Sequence, residues 1–349
     1  MKSYLLSILA LLSFGVVNNA FGQACPACSN PALQSSEKLE SGLDTLKPGY
    51  MRFTINATNG FNYQGGHPNY KGLTANGEII PVPLHDHVVS LDFLRTELSF
   101  EYTFLTNWSV WLRVPYDIKS QTASIEYPVP VSETEKEAIL RNRDIHHRNE
   151  TYTGISDLRL MVAHRINGFL SENGRLDIAF GSSLPVGKTE DDPLTAGKEG
   201  HKHMHIQFGT GTFDPLLELH YATPISDQFS VALFTINKIS LYENHHQYKG
   251  PFETTSGVSF GYRPNEWLIP RITFANFSQT QAQWDGVDDP NSGLISSNVS
   301  GNITFKLKNG LAITPGYRHP ISQKTLSDEG DAFKYGPTFL LNVSYLMKP

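Results

Sequence analysis

From Leu94 to Phe104 the side chains alternate: Leu94, Thr96, Leu98, Phe100, Tyr102 and Phe104 share one side, and Arg95, Glu97, Ser99, Glu101 and Thr103 the other. A period of two with one apolar face is the pattern of a β-strand. After Leu105, Thr106 and Asn107 it resumes, with Trp108, Val110, Leu112, Val114, Tyr116 and Ile118 set against Ser109, Arg113 and Asp117. The two runs read as one long hairpin. Pairing Phe104 with Trp108 puts Arg95 opposite Asp117 and Glu97 diagonal to Arg113, so the polar face compensates its own charges.

The same texture recurs to the end of the chain and predicts twelve strands, near residues 50–57, 88–104, 108–119, 154–166, 174–184, 205–222, 228–242, 252–263, 267–280, 296–308, 311–319 and 335–347. Their connections alternate strictly, beginning with a long one after the first strand. The short ones fall at 105–107, 167–173, 222–228, 263–266 and 308–310, the last containing the hairpin signal Asn309-Gly310. Outer-membrane barrels have this asymmetry, an even strand number and roughly 9 to 11 residues per strand in the bilayer. The expected fold class is all-β: a transmembrane antiparallel up-and-down β-barrel of about twelve strands over residues 49–349, in the bacterial outer membrane. A secreted β-sandwich would also show period-two strands, but it would have a packed apolar core and no strict loop asymmetry. The facing of the seventh and ninth strands stays open, because Phe234, Ile236 and Phe277 fall on the nominally polar side.

The beginning of the chain has a different texture. Lys2, an apolar run from Tyr4 to Val17 and small residues up to Ala24 have the order of a secretory signal peptide over residues 1–24. Residues 25–48 then form a periplasmic N-terminal segment, with helix formers between Pro31 and Leu46. A lipid-anchor reading at Cys25 lacks the large aliphatic residue that such a signal wants. Cys25 and Cys28, the only cysteines, read as a disulfide or an idle thiol pair outside the cytoplasm. Removing Lys2 leaves 27 of the 28 basic residues against 34 acidic ones, a net charge of −7, which argues against nucleic-acid binding.

Three stretches, Gly154-Ile-Ser-Asp-Leu-Arg-Leu160, Ser183-Leu-Pro-Val-Gly-Lys-Thr189 and Phe208-Gly-Thr-Gly-Thr-Phe-Asp-Pro-Leu-Leu-Glu-Leu-His-Tyr221, carry a resemblance. Together with Val114-Pro115-Tyr116 they resemble the outer-membrane family named for the MetA pathway of phenol degradation. The likeness is strong over the central third of the chain and looser over the rest. It implies a channel or transporter for small, often apolar compounds, and it carries over no substrate-contacting residue. The partners expected of such a barrel are the lipid bilayer, the outer-membrane assembly machinery and a small solute.

The side chains expected to line the lumen are mixed in sign: Arg95, Glu97, Glu101, Arg113, Asp117, Asp157, Arg159, Arg175 and Asp177. Eleven of the thirteen histidines fall in or beside the predicted long loops, and His164 and His220 map to the opposite end. The densest run is His201, His203 and His205, whose alternation in an extended segment aims three imidazoles to one side, as zinc or copper would need. His85 and His87 are the expected second contributors. A polar, pH-responsive rim explains the same histidines without metal. Ser132 and Glu135 form a capping box ahead of helix formers from Lys136 to Asp144, which places His146 and His147 at a helix C-terminus. No nucleophile-elbow context accompanies any serine, so an enzyme is not expected. Three readings follow: a small-solute channel, a metal-binding or metal-transporting barrel, and a surface binding or adhesion protein.

Overall fold

A membrane-spanning strand has no water to satisfy its backbone, so each ladder must be completed by a neighbour. In the computed structural model, which describes residues 47–201, 207–328, 330–331 and 333–348, twelve strands meet this requirement. They are β1 (Met51–Leu73), β2 (Ile79–Leu105), β3 (Trp108–Glu126), β4 in two segments (Glu150–Ile155 and Leu158–Asn167), β5 (Arg175–Leu184) and β6 (Pro215–Pro224). Then follow β7 (Phe229–Lys238), β8 (Glu253–Tyr262), β9 (Leu268–Gln279), β10 (Leu294–Lys306), β11 (Leu311–Thr325) and β12 (Thr338–Met347). Each pairs antiparallel with its neighbours in sequence, and β1 pairs with β12 from Met51↔Met347 to Gly60↔Thr338, which closes the barrel. The signal peptide, most of the periplasmic segment and the Cys25/Cys28 pair lie outside the described residues.

The register of the first hairpin puts Arg95 opposite Asp117, as the alternation predicts. The turn differs: a bulge at Phe104 pairs Leu105, not Phe104, with Trp108, and Asn107 takes a positive φ of 62°. The first connection differs more. No long loop follows the first strand; β1 and β2 run on as a ladder to Leu73↔Ile79, interrupted by bulges after Gly60 and after Asn69, and turn in five residues. Glycine, proline and histidine between 64 and 69 look like loop sequence, yet the paired backbone of β2 holds them extended.

The sense of the alternation inverts along β2. Below Phe93 the buried inward residues are Arg95, Glu97, Ser99 and Glu101, whereas Leu98 faces outward at 55 % exposure. Above Leu94 the inward residues are Phe93, Leu91 and Val89, and Asp92, Ser90 and Asp86 point outward. An outward apolar face needs lipid and an outward polar face needs water, so the inversion marks the outer edge of the bilayer. The outer parts of β1, β2 and β3 project beyond it.

Helix α1 (Glu133–His146) packs on this projection. Its capping box is formed: the Glu135 backbone N–H donates to Ser132 Oγ, and the Ser132 N–H donates to Glu135 Oε2 at 2.7 Å. Those Ser132 bonds also lower the Glu135 carboxyl below its usual range. Ala138 and Ile139 bury against Val82, flanked by Ile80 and Ile125. Gly72 allows the approach, since a Cβ there would stand 2.9 Å from the Ala138 Cβ. Arg141 Nε donates to the Leu73 carbonyl and Asn69 Nδ2 to Asn142 Oδ1. The C-terminal end of α1 is thereby fixed over the barrel mouth.

Leu98→Arg should destabilise the inserted barrel by about 2–4 kcal/mol, the cost of arginine near the bilayer midplane. Urea unfolding in lipid vesicles measures it; an unchanged midpoint would place Leu98 away from lipid.

Candidate functional site

The inward charges form a connected polar layer inside the bilayer-spanning part of the barrel. Arg95 donates to Asp117 through Nε (2.6 Å) and Nη2 (2.7 Å), and Arg165 to Asp177 at 2.6 and 2.9 Å. Arg113 donates through both terminal nitrogens to Glu218, at 2.6 and 2.9 Å. This third pair bridges β3 and β6, which are not neighbours, so it crosses the lumen. Arg52 stands 3.7 Å from Glu101, and His220 lies 3.0 Å from Glu218. Arg113, Glu97 and Asp117 have no solvent exposure, and Thr255, Ser259 and Thr273 on the facing wall are also buried. The cross-section here is packed with side chains.

Of the residues expected to line the lumen, Arg95, Glu97, Glu101, Arg113, Asp117 and Asp177 lie in this layer, and Arg175 sits 3.6 Å from Asp177. Arg175 also edges a vestibule of about 700 Å³ at the periplasmic end. Asp157 and Arg159 line a cavity of about 80 Å³ higher up, with Arg95, Lys119, Phe208 and Thr210.

Asp157 is also where the three resembling stretches meet. Its carboxylate accepts from the Gly187 N–H (3.0 Å) and the Thr210 N–H (2.8 Å), one from each of the other two. Gly209 makes room, since a Cβ there would stand 2.2 Å from Asp157 Oδ1. The β4 strand breaks at Ser156 and Asp157, opposite Pro115, to turn this carboxylate inward. The loop between β5 and β6 is thereby tied into the barrel, with Lys119 Nζ donating to the Gln207 carbonyl and standing 4.4 Å over the Phe208 ring.

Above the polar layer lies an apolar cluster, edged by buried Arg318, whose Nη2 donates to the Tyr63 hydroxyl at 3.1 Å, and by Glu253 and Gln279. Tyr63, Leu91, Phe93, Phe277 and Leu294 from the wall pack with Phe333 and Tyr335 from the β11–β12 loop. Tyr63 lies 5.4 Å from both Phe93 and Tyr335, ring centre to ring centre, and Phe277 lies 5.9 Å from Tyr335. The open question of facing is thereby answered: Phe277, Phe234 and Ile236 all point inward and are buried. Periodicity could not show this, because it distinguishes two faces without saying which solvent each one meets.

At the mouth, His67 of β1 pairs in register with His87 of β2, and the end of α1 brings His146 and His147 beside them. One nitrogen from each of the four rings lies within 4.8 Å of all the others. Asp331 of the β11–β12 loop places Oδ2 3.1 Å from His147 Nε2 and Oδ1 3.9 Å from His67 Nε2. Burial, then the nearby His147 and His67, holds the His87 imidazole well below its usual pKa, so it is neutral at pH 7. Of the five histidines expected to hold a metal, His87 is in this group, and His85 lies beside it with ring centres 5.2 Å apart and planes tilted by 40°. His201 is elsewhere, largely exposed and 3.2 Å from Glu199 in an outer groove of about 550 Å³ with Asp191 and His246. His203 and His205 lie outside the described residues. His67 and Asp331 carry no local sequence signal that would mark them as partners of His87. The capping box already placed His146 and His147, but only the extended β1–β2 ladder brings His67 to them.

No family profile and no curated protein sequence matches the chain. Among solved structures, the COG4313 outer membrane channel from Pseudomonas putida F1 superposes with a TM-score of 0.55 at 11 % identity, covering 86 % of this chain and 97 % of that one. The toluene transporter TodX of Pseudomonas putida gives 0.37 at 9 % identity, covering 90 % and 93 %. A FadL homologue of Pseudomonas aeruginosa gives 0.40 at 12 %, covering 95 % and 99 %. The last two are too loose to carry weight; the first shows the fold, and this chain is a closed twelve-strand barrel of the outer-membrane type.

Proposed function

We propose that this protein is an outer-membrane channel for a small apolar or aromatic solute, exported by its signal peptide and inserted by the outer-membrane assembly machinery. The observation that carries the reading is the apolar cluster within the outer half of the barrel. Apolar side chains facing the interior beyond the bilayer do not meet lipid, so their partners are the loop above them and whatever displaces that loop. Phe333 and Tyr335 are the part of the cluster supplied by a loop. Tyr335 is held by a pair of hydrogen bonds with the Gln323 amide. Displacing these two rings leaves a recess walled by Tyr63, Leu91, Phe93, Phe277 and Leu294, which suits a compact apolar guest.

The convergence of the three resembling stretches on Asp157 supports placing the chain with the MetA-pathway family, since residues far apart in sequence are needed together at one point. Transport of small apolar compounds is what that resemblance implies. Below the recess the Arg113–Glu218 bridge is the barrier, and a solute passes only when that layer parts.

Two measurements test this. Cells producing the protein should take up radiolabelled toluene faster than cells without it. Phe333→Ala with Tyr335→Ala should raise the initial rate several-fold, and Phe277→Asp should lower it at least fivefold; rates equal to those of cells lacking the protein would refute the solute reading. In planar bilayers the wild type should conduct KCl poorly and Glu218→Ala distinctly better. Glu218→Ala also strands a buried Arg113 charge, at a cost of about 3–5 kcal/mol, most of which the Arg113→Met, Glu218→Leu double variant should restore. A silent Glu218→Ala barrel with unchanged stability would remove the bridge as the barrier.

A further inference from the structure

The histidines at the mouth come from three segments, β1, β2 and the end of α1, and the carboxylate comes from a fourth, the β11–β12 loop. His67 Nε2 and His147 Nε2 are 3.3 Å apart, and His147 Nε2 is 3.1 Å from Asp331 Oδ2. With bonds of about 2.0–2.1 Å, the donors of a tetrahedral zinc site stand about 3.3–3.4 Å from one another. The His67–His147 and His147–Asp331 separations match two edges of such a site, and one nitrogen from each of the four rings lies within 4.8 Å of the others.

The surroundings prepare the donors. His67 Nδ1 lies 3.0 Å from the Pro68 carbonyl, which takes its N–H and leaves Nε2 with its lone pair directed toward His147. A ligating imidazole is commonly fixed by a hydrogen bond of this kind. His87 is 1 % exposed, and neither of its ring nitrogens has a hydrogen-bond partner among the described residues. Such a buried imidazole carries a desolvation penalty that no hydrogen bond among the described residues offsets, and a bound cation would offset it. The Asp331 N–H donates to Asn291 Oδ1 at 2.6 Å, which anchors the carboxylate-bearing loop to the neighbouring one.

We propose that His67, His87, His147 and Asp331, with His146 beside them as an alternate donor, bind a divalent transition metal at the outer mouth of the barrel, zinc being the ion whose geometry fits. Three imidazoles and a carboxylate exclude the oxygen-seeking cations calcium and magnesium as preferred occupants. Bound there, the ion joins the β1–β2 projection, helix α1 and the β11–β12 loop. Asp331 is two residues from Phe333 and four from Tyr335, so the metal holds in place the loop that covers the apolar recess. The site stands on its own donors and does not depend on which solute the barrel passes.

Calorimetric titration of the full refolded protein in detergent with ZnCl2 is the test, alongside His87→Ala, His147→Ala and a His201→Ala, His246→Ala rim variant. Heat-modifiable migration on gels verifies that each barrel is folded. The wild type and the rim variant should bind one ion tightly. In His87→Ala and His147→Ala the Kd should rise more than about 100-fold, beyond the 10–100-fold that loss of a supporting contact produces. Co2+ in the wild type should give the intense visible bands of a four-coordinate site, absent in both variants. No binding by the wild type at micromolar zinc would overturn the assignment. So would tight binding retained by folded His87→Ala and His147→Ala, or lost only from the rim variant.

Discussion

Backbone hydrogen bonding without water is the constraint on which everything else in this molecule depends. Inside a bilayer each N–H and C=O must be paired by the protein, and a sheet with edges cannot do it. The β1–β12 ladder removes the edges. Closure then dictates side-chain chemistry, because every strand shows alternate residues to lipid and to an enclosed interior. Lipid accepts only apolar groups, so the polar residues needed to specify the register are left inside, where water is scarce and charges must find one another. Arg95 with Asp117, Arg113 with Glu218 and Arg165 with Asp177 are the result.

That rule holds only as far as the bilayer extends. Above Leu94 the outside of β2 is wet, so the constraint on the outward face is lifted and the interior is free to become apolar. The barrel thus has two storeys, one dominated by paired charges within the membrane and one richer in aromatic rings above it. Its projecting wall is built from the outer parts of β1, β2 and β3 and a capped helix. At the junction Asp157 interrupts β4 to fasten the β5–β6 loop inside, which costs a few ladder hydrogen bonds at a site where Pro115 could not have donated one.

The strand count, the first hairpin and its Arg95–Asp117 register were legible because they depend on local alternation and a two-residue turn. The helix was legible from Ser132 and Glu135 for the same reason. Less legible was anything set by which solvent lies outside a strand: Phe93, Leu91 and Phe277 alternate as regularly as Arg95 and Glu97, and only their height in the barrel gives the alternation its meaning. The extension of β1 past Gly60 was hidden by loop-like residues that cross-strand pairing overrides. Contacts across the lumen or between a strand and a distant loop, such as Arg113 with Glu218 or His67 with Asp331, join positions separated by more than a hundred residues, and no periodicity encodes them.

The Arg113–Glu218 bridge spans three strand-to-strand steps. In a flat sheet those steps, at about 4.8 Å each, would hold β3 and β6 about 14 Å apart, and their side chains would stand perpendicular to the sheet instead of reaching along it toward each other. The bidentate contact therefore exists only once the sheet has curled. While strands are still being added, both charges face an incomplete interior and gain nothing from each other; when the wall bends past a threshold, they meet and become dry together. The pair acts as a latch on curvature, and it makes the final bending of this part of the wall a cooperative step.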